Sequence, residues 1–294
     1  MPALFDSESA KVDGNVATLK GENQLRKFRR VADGLVEKVV ADEDVEGVIF
    51  IGGLVRGFVD RYSDLDVTVF LGREDAALRR RIYELASAEE RRSDIEVDLE
   101  VHVLQDFAKR KWSEAERFEF SKAEIVFDRN GKVAKLFEKR LKVPREFWVK
   151  RLAVCAEYLK WYCCPLRVSV GTVAEAWVDR GDLAAAHYCV SYGVDLFLEA
   201  LFAVNGEFLP PPKWRIFYSY RLKWLPGGYE ALLKEAMLLR AFSVEELDRR
   251  LAAVRKLWAL VLPKVEEETA MKANELSRYF VENVLGIAGV PQRG

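Results

Sequence analysis

Two aspartates stand one residue apart in "SDLDVTVFL", Ser63 to Leu71, at the start of a β-branched, apolar run. In a strand, residues i and i+2 point the same way, so Asp64 and Asp66 share one face roughly 7 Å apart, while Leu65, Val67 and Val69 share the other. Parallel carboxylates on a rigid strand repel unless a cation lies between them. Mg2+ or Mn2+ suits the arrangement, because a hard divalent ion takes carboxylate oxygens and fills its other positions with water and phosphate. About a dozen residues upstream, Gly52 and Gly53 end the run "GVIFIGG", and glycines there let backbone N–H groups approach a phosphate chain. Arg56 adds a charge-assisted contact. A third carboxylate would complete a metal clamp and help to deprotonate an attacking hydroxyl. It is sought on "DIEVDLEVHVL", where Glu96, Asp98, Glu100 and His102 share one face and Ile95, Val97, Leu99, Val101 and Val103 the other.

These residues need a sheet to hold them. Leu25, Phe28, Val31, Leu35 and Val39 recur at spacings of three or four, the stripe of an amphipathic helix preceding the first strand. "LVRGFVDRYS" has room for one helical turn and a loop before the aspartate strand. "REDAALRRRIYELASAEERR" reads as a charged surface helix, and "AEIVFD", a turn at "RNG" and the helix "KVAKLFEKRL" close a mixed α/β domain, residues 1–143. From Pro144 the pattern is helical almost throughout, which predicts an all-α bundle over 144–294. In this half Trp148, Leu152, Cys155, Leu159 and Tyr162 line one helix, and Asp182 caps "LAAAHYCVSYGVDLFLEALF", apolar all round its axis and hence central and buried. Ser243 and Glu246 form a capping box for a last long helix running to about Leu285, with breaks.

The chain has 294 residues, half of them hydrophobic, with 46 Lys+Arg against 47 Asp+Glu. Near-neutral charge argues against wrapping long nucleic acid by bulk electrostatics. The N-terminus lacks a signal-peptide pattern, and no apolar run approaches the roughly 18 residues that span a bilayer, so a cytoplasmic protein is expected. Cys155, Cys163, Cys164 and Cys189 lie in apolar helical surroundings without zinc spacing and read as buried thiols. Three Gln, three Met and 32% charged residues are a thermophile-like bias.

"GGLVRGFVDRYSDLDVTVF" resembles the signature of the DNA polymerase beta-type nucleotidyltransferase superfamily, a glycine-serine turn, a short helix and an aspartate-x-aspartate strand. Ser63 before Asp64 fits the pattern, and "LEVHVL" is similar to the strand that carries the third acid in aminoglycoside adenylyltransferases. The resemblance implies a nucleotidyltransferase fold followed by a helical domain that closes over nucleotide and acceptor. It further implies Asp64, Asp66 and Glu100 as metal ligands and catalytic acids, with Asp98 as second choice for the third position. Gly52, Gly53, Arg56 and Ser63 would bind nucleotide. "NGEFLPPPKWRIFYSYRLKWLP" looks like a segment of related enzymes and would bring Lys213 and Arg221 to the triphosphate. One departure stands out: Gly53 occupies the place of the family's serine.

The expected activity is transfer of a nucleoside monophosphate from an NTP, ATP in first place, to a hydroxyl on a small molecule or protein, with release of pyrophosphate. Other classes compete. A nucleotide-binding, antitoxin-like regulatory module would bind without turnover, and a DxD glycosyltransferase usually needs a longer domain ahead of the motif. Arg180 and His187 have the R-x6-H spacing of HEPN ribonucleases, although Asp182 between them reads as a helix cap. Trp214, Tyr218, Tyr220 and Trp224 would stack a base or, more simply, fill a core.

Overall fold

The computed structural model describes residues 19–165 and 171–286. The chain divides into two compact units, one ending at Lys142 and the other beginning at Val143.

In the first unit the apolar stripe folds as α1 (Leu25–Val39), followed by β1 (Val45–Phe50), the short α2 (Gly52–Arg56), β2 (Leu65–Leu71), α3 (Ala76–Ser93) and β3 (Val97–Val103). Next come α4 (Leu104–Lys109), α5 (Glu114–Lys122), β4 (Glu124–Asp128) and α6 (Lys132–Leu141). The sheet order is β3-β2-β1-β4; β1 runs antiparallel to β2 and β4, while β2 and β3 are parallel. A mixed sheet was expected, and α3 is the crossover that any parallel pair requires.

Alternation along β2 decides what each face of the sheet meets. Leu65, Val67, Val69 and Leu71 pack with Phe28, Val31 and Leu35 of α1 and Leu78, Ile82 and Ala86 of α3. Burying each Phe or Leu stabilises by about 1.5–3 kcal/mol. Asp75 caps α3, accepting from the Ala77 and Leu78 N–H groups at 2.9 Å. Glu89, 1% exposed on α3, pairs with Lys38 of α1 and Arg92. On the opposite face an aromatic cluster of Phe70, Phe107, Trp112, Phe120 and Phe137 joins the sheet to α4, α5 and α6. The aspartates emerge on this second face.

The second unit is all helical: α7 (Arg145–Tyr162), α8 (Val173–Asp179), α9 (Leu183–Val204), α10 (Pro212–Ser219), α11 (Tyr229–Met237), α12 (Val244–Thr269), α13 (Ala273–Tyr279) and a π turn over Phe280–Val284. By length and composition α9 could cross a membrane, contrary to the expectation from the sequence, but 72% of its apolar window is buried inside the protein. Asp182 caps it as expected, accepting from the Ala185 N–H at 2.9 Å. Gly193 lets α9 lie against α7, since a Cβ there would strike Cys163 Sγ. All four cysteines are buried thiols.

The last long helix departs from expectation at its start. Ser243 accepts from the Glu246 N–H at 3.3 Å, but the Glu246 carboxylate turns to the Arg240 N–H and to Arg249, so only half of the capping box forms. Toward the other end an expected break falls at Ala270, whose φ of 58° is left-handed, and the helix restarts at Ala273 and continues to Val284.

Candidate active site

The loop before β2 aims the first aspartate. Asp60 Oδ1 accepts from the Tyr62 N–H at 3.0 Å and from the Ser63 hydroxyl at 3.2 Å, and Ser63 Oγ accepts from the Asp60 N–H at 3.0 Å. This turn delivers Asp64 to the mouth of the strand. Ser63, expected at a phosphate, is engaged within the turn. Asn23, which the sequence did not single out, ties the loop down: its amide donates to the Gly57 carbonyl at 2.9 Å, and its oxygen accepts from the Val59 N–H at 3.2 Å.

Both glycines of the upstream turn have steric causes. Gly52 has a φ of +63°, and a Cβ there would collide with Asp66 Oδ2. Gly53 faces Val59, whose Cγ1 would lie 2.5 Å from a Cβ. A serine at position 53 therefore has no room beside Val59, which accounts for the departure from the family pattern.

The third carboxylate is set by register. Parallel pairing puts Asp98 opposite Asp66 and Glu100 opposite Thr68. One oxygen each from Asp64, Asp66 and Asp98 lies within 4.8 Å of the others, and Glu100 is not in the group. The order expected from the sequence, Glu100 before Asp98, is reversed. Strand alternation puts both on the correct face, and a shift of two residues preserves that face, so alternation alone could not choose between them. Glu100 instead accepts from His102 Nε2 at 2.8 Å, and that bond holds its carboxyl below the usual range.

The cluster is strongly anionic. Burial, then the charges of Asp64, Asp98 and Glu119, push the Asp66 carboxyl up to about 7, against a smaller opposing effect of Arg56. Arg56 is thus within electrostatic reach of Asp66. Glu119 was missed because α5 was missed. Its signal was available in "SEAE", for Ser113 and Glu116 make a complete capping box. Among the described residues no hydrogen-bond donor reaches the Asp66 carboxylate, and a donor set of three hard oxygens suits a divalent cation. A cavity of about 410 Å3 adjoins the cluster at Asp64, lined by Lys27, Arg61 and Tyr62 and by the acids Glu90, Asp94 and Glu96.

The remaining candidates lie in the second unit. Lys213 is exposed on α10, and Arg221, just beyond that helix, lies 3.6 Å from the centre of the Phe217 ring. Arg180 is exposed and stacks on Trp177 at 4.9 Å. His187 is 1% exposed; its Nε2 donates to the Ser243 carbonyl at 3.1 Å, and its Nδ1 accepts from Arg250 at 3.1 Å. No imidazole faces solvent at the R-x6-H motif, and the ribonuclease alternative gains nothing from this geometry.

No family model and no curated protein matches the chain. Among solved structures, a nucleotidyltransferase-like protein from Exiguobacterium sibiricum is similar at 12% identity over 82% of this chain and 78% of that one, with a TM-score of 0.40. A tri-AMPylated Shewanella oneidensis HEPN toxin in complex with MNT antitoxin is similar at 15% identity over 46% of this chain and 98% of that one, with a TM-score of 0.29. The functional reading rests on the site.

Proposed function

We propose that the chain is a metal-dependent nucleotidyltransferase that moves a nucleoside monophosphate from an NTP to a hydroxyl-bearing acceptor. The observation that carries this reading is the convergence of Asp64, just before β2, with Asp66 of β2 and Asp98 of β3, with Gly52 cut back to make room for Asp66. Asp64, Asp66 and Asp98 would hold Mg2+ or Mn2+, which when bound neutralises charge at the phosphates. Gly52, Gly53 and Arg56 would take the phosphate side.

In the transfer, the acceptor oxygen forms a bond to the α-phosphorus and the bond to the pyrophosphate oxygen breaks. The hydroxyl proton passes to a carboxylate, for which Asp98 on the outer strand is the choice. Pyrophosphate release from each NTP with Mg2+ tests the proposal, and unchanged turnover in Asp66→Asn would sink it. A regulatory module remains the competing reading, and stoichiometric nucleotide binding without pyrophosphate release would identify it.

A further inference from the structure

The same sheet face continues beyond Asp98 into a second, separately supported group. β3 is an edge strand of the sheet. Glu100 and His102 follow Asp98 on its ligand-bearing side at steps of roughly 7 Å. The Glu100 side chain is 58% exposed and is hydrogen-bonded through Oε2 to His102, with Arg110 and Glu116 within electrostatic reach. This carboxylate is nevertheless oriented. The His102 ring packs on Phe107 with centroids 5.0 Å apart, and Phe107 is itself 2% exposed and covered by the Arg110 guanidinium at 4.8 Å. A solvent-facing glutamate held by a histidine that rests on a buried aromatic ring is more ordered than a surface charge requires.

We propose that Glu100 is the acceptor-side contact of the site, receiving a hydrogen bond from a hydroxyl or ammonium of the acceptor, and that His102 is the residue that positions it. This rests on reading the aspartate cluster as the transfer site. β1 and α2 occupy one side of β2, with Gly52 against Asp66 as the phosphate side. On the other side, among the described residues, no strand pairs with the outer edge of β3, and Glu100 lies two residues beyond Asp98 on the same face of that edge. Glu100 thus has a role distinct from metal binding, the role the sequence had suggested for it.

The experiment compares Mn2+ affinity, read by electron paramagnetic resonance, with transfer from ATP to two probe acceptors, glycerol and 2-aminoethanol, in the full-length protein. Glu100→Gln should leave Mn2+ affinity and the KM for ATP within about twofold of wild type and raise the probe KM about tenfold, the worth of a charged hydrogen bond. His102→Ala should move the probe KM the same way, and His102→Gln, which can still donate to Glu100, should restore it. A larger effect on 2-aminoethanol than on glycerol would assign the contact to an ammonium, the reverse to a hydroxyl. The proposal is overturned if Glu100→Gln loses Mn2+ as Asp98→Asn does, if the probe KM does not move, or if the wild type binds Mn2+ yet labels neither probe. Retention of Mn2+ by both Asp66→Asn and Asp98→Asn would instead refute the underlying site.

Discussion

Each unit withdraws a charged side chain from water, and the two provide for it in opposite ways. In the second unit Arg250, 2% exposed, donates to the Ala236 carbonyl at 2.8 Å, to His187 Nδ1 at 3.1 Å, to the His187 carbonyl at 3.2 Å and to Ser191 Oγ at 2.9 Å. Its charge is spread over neutral acceptors, and the network locks α9, α11 and α12 together. In the first unit Asp66 is partly buried among Asp64, Asp98 and Glu119, and its carboxyl rises to about 7. A polar group set for folding has its partners inside the fold. The Asp66 carboxyl is left among like charges, a state that an added cation would relieve.

Removing each charge tests that contrast, and the largest effect is expected at Asp66. Asp66→Asn should lower Mg2+-dependent pyrophosphate release by about a thousandfold. It should also raise the metal-free melting temperature by about 3 °C, because a like-charge contact disappears. A fall in melting temperature would mean that Asp66 is a structural residue after all. Arg250→Met should do the opposite, costing about 2–4 kcal/mol in chemical denaturation through the unsatisfied carbonyls and imidazole it leaves, with Mn2+ affinity unchanged.

The two sites should also answer pH with opposite signs. The folded-state pKa of Asp66 is raised above its unfolded value near 4, so its proton is held more tightly in the fold. The stability it contributes is present at low pH and lost as pH rises from about 4 through about 7. On the proposed reading Mg2+ would replace the proton there, so the Mg2+-induced rise in melting temperature should be larger at pH 8 than at pH 6; an equal rise would place the cation elsewhere. Burial lowers the pKa of His187. Its contribution is therefore present above its unfolded value near 6.5 and is lost as pH falls through the lowered one. Thermal denaturation from pH 5 to 8, with and without Mg2+, reads both.

The smallest effect is expected at the glycine turn. Gly53→Ser should destabilise the first unit by about 1–2 kcal/mol through contact with Val59, and Val59→Ala should recover part of the loss. Additive losses in the double variant would remove the steric account of the missing serine.

Much of the first unit was legible because its signals are periodic and local. The α1 stripe and the β2 alternation, like the Asp182 cap in the second unit, arise from residues within a few positions of one another. α4 and α5 were missed because "QDFAKRKWSEAERFEFSK" carries no clean stripe; its aromatic residues are placed by Phe70 and Phe137, which are distant in sequence. Breaks in the final helix were expected, but their place at Ala270 was not, because nothing in the local composition marks a left-handed cap at an alanine.

The sequence by itself determined that two aspartates share a strand face, that glycines precede them and that a second acidic strand follows, because these are consequences of a two-residue repeat and of residue type. Only the tertiary structure decided that Asp98 stands level with Asp66, that Glu100 goes to His102, that Ser63 turns inward to Asp60 and that His187 is sealed beneath Phe242 and Arg250. Periodicity specifies the direction of a side chain. Register and packing specify its neighbours, and those depend on residues far away along the chain.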